Sequence, residues 1–135
     1  MIQKSLLDTD TLSFVMKREP KVIAREQFYK VDHPRLTISA FTRFEVERGL
    51  KSIGATRQLV IFGRSLNSID VLPLDDRVLD QASDIYAILH RKGKLIKDGD
   101  ILIAATAVVY GLPLVTNNTR HFNRIAGLTL DNWFV

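Results

Sequence analysis

A three-layer α/β fold, with helices on both faces of a central, mainly parallel sheet, is what this sequence predicts. Three observations carry that expectation. Short strand-like apolar runs alternate with longer stretches of helical periodicity, the pattern of β–α–β units. The stretch Gly99 to Tyr110 is apolar nearly all round, as a centrally packed helix must be. Nothing in the 135 residues reads as a linker, an internal repeat or a low-complexity tract, so residues 1–135 are expected to form a single domain.

The elements follow in order. Gln3 to Leu7 reads as the first strand and Thr9 to Lys17 as a short helix. Pro20 suits the first turn of a second helix, along which Ala24, Phe28 and Val31 recur at helical spacing until Asp32-His33-Pro34 ends it. Leu36 to Ser39 is the second strand. Ala40 to Leu50 is the third helix, closed by Gly49 or Gly54, and Leu59, Phe62 and Leu66 mark a fourth. Ile69 to Leu72 is the third strand, stopped by Pro73. Asp75 or Asp76 caps the next helix, which buries Val78, Ala82, Ile85, Tyr86 and Leu89 and ends at Gly93. Asp98 caps the helix that Gly111 closes. Leu112 to Thr116 is the fourth strand, Thr119 to Ile125 a short helix, and Leu128 to Leu130 a candidate edge strand.

A chain that is 46% hydrophobic and 25% charged is that of a globular protein rather than a disordered one. The absence of cysteine removes disulfides, thiolate zinc sites and cysteine nucleophiles together. The longest apolar stretch, Ile101 to Tyr110, falls well short of the roughly 20 residues of a membrane span. The apolar segment at the N-terminus is too short for a signal peptide. A cytoplasmic protein is expected. The formal net charge of +4, with basic residues spread along the chain, would draw in a polyanion such as RNA or an acidic protein partner; it is equally the charge of an ordinary solvated surface.

Three acids stand against apolar runs. Asp8 ends Ser5-Leu6-Leu7, Glu45 lies in the segment from Ile38 to Glu45, and Asp100 opens Ile101-Leu102-Ile103-Ala104-Ala105. Acids so placed are costly unless something positive holds them. Asp8 follows a strand, where open α/β sheets build their sites. At about 5 Å and an effective dielectric near 20, each pair of charged carboxylates would repel by roughly 3 kcal/mol. Three pairs approach about 10 kcal/mol, comparable to the stability of a domain. Proton uptake or a bound cation relieves this. Carboxylate oxygens without His or Cys favour Mg2+ or Mn2+, which can activate water against a phosphodiester. Each acid also has a structural reading: Asp8 as a helix N-cap, Glu45 paired with Arg48, and Asp100 at a helix N-terminus.

Four strings of this sequence, taken in order, resemble the motifs of PIN-domain ribonucleases, most closely the VapC-type toxins of bacterial toxin–antitoxin pairs. They run from Leu6 to Ser13, Ser39 to Gly49, Asp100 to Ala107 and Gly111 to Phe122, and Trp133 fits the usual ending of that group. The resemblance spans essentially the whole chain. It implies a PIN-like fold, an acidic pocket binding Mg2+ or Mn2+, an endoribonuclease that hydrolyses RNA phosphodiesters with a metal-activated water, a homodimer, and a cognate VapB-like antitoxin. By position, Asp8, Glu45 and Asp100 match the core acids and metal ligands. Thr116 matches the hydroxyl residue that helps hold a site water or ligand.

The fourth acid is where this chain departs from the pattern. Asn118 stands where many relatives carry aspartate, and His121 stands just before Phe122. An amide can coordinate through its oxygen but brings no charge. His121 could touch a phosphate or shuttle a proton, or be a surface residue of a short helix. Asp10 could approach a metal through water. Thr42 could bond a carboxylate or be a buried structural hydroxyl. His33 and His90 carry no assigned chemistry. Two rival readings stand beside the resemblance. Asp8-Thr9-Asp10-Thr11 also fits the DxDxT signature of haloacid-dehalogenase-like phosphatases, with Asp8 as nucleophile, although the stretch Ile101 to Tyr110 lacks the acids that fold needs. A non-catalytic PIN-like binding module is the other.

Overall fold

The structure, a computed structural model, describes residues 2–135. Among these, strands β1 (Leu6–Leu7), β2 (Leu36–Ser39), β3 (Ile69–Leu72), β4 (Leu114–Val115) and β5 (Leu130–Asp131) form one sheet in the order β3-β2-β1-β4-β5. Every pairing is parallel. The helices are α1 (Thr9–Met16), α2 (Pro20–Asp32), α3 (Ala40–Ser52), α4 (Thr56–Ser65), α5 (Asp76–Arg91), α6 (Asp98–Val109) and α7 (Thr119–Phe122). No described helix is long and apolar enough to cross a membrane.

The chain steps outward from β1 through β2 to β3, then returns by α5 and α6 to lay β4 on the other side of β1. That reversal makes the β1–β4 seam a topological switch point, where sheets of this kind leave a crevice beyond their carboxyl ends. Leu7 pairs with both Ile38 and Val115, so Asp8, Ser39 and Thr116 all follow immediately after aligned residues.

Strands buried on both faces need apolar side chains pointing both ways, and adjacent residues supply them. Leu6 and Leu114 enter the core under α5 and α6, with Val78, Ile85, Leu89, Ile103 and Ala104. Leu7 and Val115 enter the opposite core, with Leu12, Val22, Tyr29, Ile38, Phe62 and Trp133. Two cores on two faces make the expected three layers.

The structure departs from the sequence reading at several points. On α2 the buried face carries Val22, Glu26 and Tyr29, whereas Phe28 is 65% and Val31 79% exposed. Both sets recur at helical spacing; offset by two residues, or about 200°, they lie on opposite sides, and periodicity alone does not choose between them. Tyr86 is exposed and stacks on His90 instead of entering the core. Gly49 lies inside α3, and Gly54, at φ 65°, follows its end. Asp98 is the first residue of α6 and Lys97 its N-cap. Strands β1 and β4 are shorter than their apolar runs, α7 ends at Phe122, and β5 lies at Leu130–Asp131, one to two residues later than expected. Backbone pairing, not apolar character, bounds a strand.

Candidate active site

A cleft of about 180 Å³ is walled by Asp8, Asp10, Glu45, Asp100, Asn118 and His121, together with Thr9, Lys97 and Phe122. Residues far apart in sequence thus share one concavity beside the switch point. Asp8 arrives there as the residue after β1, and its backbone N–H donates to Val115 O at 3.0 Å, tying it to β4. Glu45 comes from the second turn of α3, and Asp100 from the first turn of α6.

Asp8 is both cap and cleft wall. Its Oδ1 accepts from the Thr11 N–H at 2.8 Å, closing the N-terminus of α1. Only 4% of it is exposed. Burial pushes its carboxyl up to about 6; bonds from the Thr116 hydroxyl and from Thr11 pull down, and Asp10 adds a smaller upward push. Asp100 is half-buried and also raised, first by burial and then by Glu45, with Lys97 pulling down. Among the described residues, neither Asp8 nor Asp100 belongs to an ion pair.

Glu45 is held differently. Thr9 Oγ1 donates to its Oε1 at 2.5 Å, and Arg48 lies 3.5 Å from its Oε2. The Arg48 pairing anticipated from the sequence therefore exists alongside the cleft position. Thr9 Oγ1 also lies 3.1 Å from Thr42 Oγ1, which is in turn 3.2 Å from Ser39 Oγ. Thr42 is fully buried and is the structural hydroxyl; Thr9 is what touches the carboxylate.

Thr116 is completely buried behind the wall, where its Oγ1 accepts from the Asn118 N–H at 2.9 Å. One hydroxyl thus serves both Asp8 and the turn carrying Asn118. The Asn118 side-chain nitrogen lies 2.8 Å from His121 Nδ1. The amide donates there, which puts the neutral ring's proton on Nε2. His33 faces Ile2 O at 2.6 Å and His90 stacks on Tyr86; neither lines the cleft.

Residues 5–128 match the PIN domain family. This chain belongs to the PIN-domain family. It is 36% identical over 131 residues to the tRNA(fMet)-specific endonuclease VapC of Salmonella typhimurium, covering 96% of this chain and 98% of the relative. It is 33% identical over 132 residues to ribonuclease VapC2 of Haemophilus influenzae, with the same coverage. Among solved structures, DNA-bound VapBC from Salmonella typhimurium superposes with a TM-score of 0.86 at 35% identity, covering 98% of this chain and 99% of that one. The PIN fold expected from the sequence is the fold present, with an all-parallel sheet. Membership weighs against the haloacid-dehalogenase-like reading of Asp8-Thr9-Asp10-Thr11.

The PIN cleft has the donor set a hard divalent cation takes: oxygen ligands, with the carboxyls of Asp8 and Asp100 raised chiefly by burial. Among the described residues no three His, Asp or Glu side chains are already gathered to ligate one ion. Glu45 is turned to Thr9 and Arg48. Asp8 and Asp100 would be the first to hold such an ion, and Glu45 would have to rotate or act through water to join them.

Sequence reasoning left Thr9 and Lys97 out of this PIN site, although both line it. Each had a signal: Thr9 follows Asp8 directly, and Lys97 is a cation three residues before Asp100.

Proposed function

We propose that this chain is a divalent-metal-dependent endoribonuclease, the toxin of a type II toxin–antitoxin pair. The observation that carries the reading is the convergence of Asp8, Glu45 and Asp100 on one cleft of a PIN domain. Relatives named as VapC ribonucleases support the activity, and solved VapBC complexes support a VapB-like antitoxin as partner. The chain works as a homodimer in the cytoplasm, where RNA is available to it. Two relatives are named as tRNA(fMet)-specific endonucleases, which makes that tRNA the first substrate to try.

Asp8, Asp100 and Glu45 hold the cation, Mg2+ or Mn2+, directly or through water. When bound, such an ion lowers the pKa of a water and neutralises charge on the phosphate. The chain's own groups do the positioning. Thr116 orients the Asp8 carboxylate, and Thr9 orients Glu45. Asn118 fixes the His121 ring with its Nε2 proton outward of their shared bond. Lys97, at the cleft wall, offers an ammonium to a phosphate oxygen.

The test is cleavage of RNA by the purified chain with Mg2+ or Mn2+, with chelator, and with Asp8→Asn. Cleavage that needs both the metal and Asp8 is expected. A phosphatase would instead hydrolyse small phosphomonoesters, and a binding module would cleave neither. RNA cleavage unchanged in Asp8→Asn overturns the reading.

A further inference from the structure

We infer that a basic hollow between the α5–α6 connection and α7 is a sugar-phosphate subsite, in which Lys94 and Arg120 hold the RNA backbone next to the cleft. This rests on the ribonuclease reading and deepens it, by naming where the strand runs once it leaves the acids.

The hollow, of about 430 Å³, is lined by Gly93, Lys94, Arg120, Asn123 and Arg124. Three of the five are cations, and no carboxylate or apolar side chain is among them. Among the described residues, none of these cations belongs to an ion pair. Arg25, Arg35 and Arg43, by contrast, are each held by a carboxylate. The hollow is also braced. Arg124 is half-buried, and its Nη1 donates to Lys94 O at 3.4 Å and to Leu95 O at 3.3 Å, strapping the end of α7 to the connection. Gly93, at φ 65°, makes the left-handed turn after α5 that leads into Lys94. With Arg124 occupied by carbonyls, the exposed Lys94 and Arg120 are the groups left for an anion.

The same two segments wall the acidic cleft. Lys97 lies three residues beyond Lys94, and Asn118, His121 and Phe122 alternate along α7 and its N-terminal turn with Arg120 and Asn123. A strand with one phosphate in the cleft therefore has the hollow on the other side of a single helical turn. The chemistry of the lining selects the occupant. Cations and an amide, with no apolar side chain, offer nothing to a base or to the apolar anchors of a protein partner. They suit a phosphate and its sugar. An acidic peptide would complement the cations too, but on entering the adjoining cleft its carboxylates would meet Asp10, Glu45 and Asp100. An RNA strand brings to that cleft the phosphate that a divalent cation there would neutralise.

The experiment measures the affinity of a short fluorescent oligouridylate, and of an abasic strand of the same length, over a salt series, using Asp8→Asn protein so that no strand is cut. In that background Lys94→Ala and Arg120→Ala should each weaken binding by roughly 5- to 10-fold at about 50 mM salt, and lower the slope of log affinity against log salt by about 0.7. Arg120→Lys should keep the parent's slope. The abasic strand should show the same losses, because the contact is to the backbone. Arg64→Ala removes an equal charge from an exposed position in the last turn of α4, on the other face of the sheet, and should leave the slope unchanged. A slope unaltered in both Lys94→Ala and Arg120→Ala overturns the proposal. So does an equal change in Arg64→Ala, which would mark net charge alone, and so does a loss confined to the base-bearing strand. Oligoglutamate that binds the parent as tightly as the oligouridylate, and loses as much in the same two variants, would assign the hollow to an acidic protein and also overturn it. Metal-dependent RNA cleavage by the chain with Asp8 intact is scored separately, so failure of the backbone subsite and failure of the ribonuclease reading are told apart.

Discussion

Asp8 performs two tasks whose energetics oppose each other. Its Oδ1 caps α1 through the Thr11 N–H at 2.8 Å, while burial raises its pKa to about 6. A carboxyl raised in the folded state binds its proton more tightly there than in the unfolded chain. Its stability contribution is therefore full below the ordinary value of 3.8 and is lost as pH rises through about 6. The shift corresponds to about 3 kcal/mol. Asn keeps an acceptor for the cap and carries no charge. Asp8→Asn should thus unfold at higher urea than the metal-free parent above pH 6, by up to about 3 kcal/mol, while abolishing RNA cleavage. The gap should close as pH falls towards 4; a gap that is independent of pH would refute the assignment of the cost to the buried charge. Thr9→Val belongs at the same scale. It removes the hydroxyl that holds Glu45 Oε1. Cleavage should fall at saturating RNA, with the far-ultraviolet spectrum unchanged and the metal concentration needed for half-activity raised.

At the scale of elements, the contact between α3 and α6 fixes where Asp100 stands relative to Glu45. Gly99 is a point of close approach, because a Cβ there would clash with the Phe41 ring. Gly99 sits one residue before Asp100, in the first turn of α6. Gly99→Ala should push that turn off the Phe41 ring, with a stability loss of about 1–3 kcal/mol for the overpacked contact and a drop in cleavage. Shrinking the ring side should relieve it. In a Phe41→Leu background, Gly99→Ala should cost less than it does alone, a coupling that a double-mutant cycle in urea denaturation reads directly. Additive costs would mean that the two residues do not share the strain.

At the scale of the whole molecule, the arrangement is an acidic pit on a chain of net charge +4. A bound cation would neutralise the pit, and the surrounding positive field would attract a polyanion. Because Asp8 takes up protons near pH 6, metal binding should release protons when measured there by calorimetry in buffers of different ionisation enthalpy, and release fewer near pH 8. Mn2+ or Mg2+ should also raise the melting temperature, by an increment that grows with metal concentration. Asp8→Asn should lose most of that increment. A metal-induced stabilisation that survives in Asp8→Asn would place the ion elsewhere.

Much of this was legible in the chain, and the rest was not, for a physical reason. Local covalent periodicity and turn chemistry mark β2 at Leu36–Ser39 and β3 at Ile69–Leu72 to the residue, start α2 at Pro20, and set Gly93 and Gly111 just past helix ends. The order of the motifs around Asp8, Glu45 and Asp100 pointed to the family. Packing between distant segments decided what periodicity leaves open. It buried Tyr29 rather than Phe28 on α2, trimmed β1 and β4 to the residues that pair, and seated Lys97 rather than Asp98 at the cap of α6. It also brought Thr9 onto Glu45 across 36 positions of sequence. The chain by itself determines the order of its strands and helices and where acids stand along it. Only the reversal of strand order at the β1–β4 seam decided that those acids would look into one cleft.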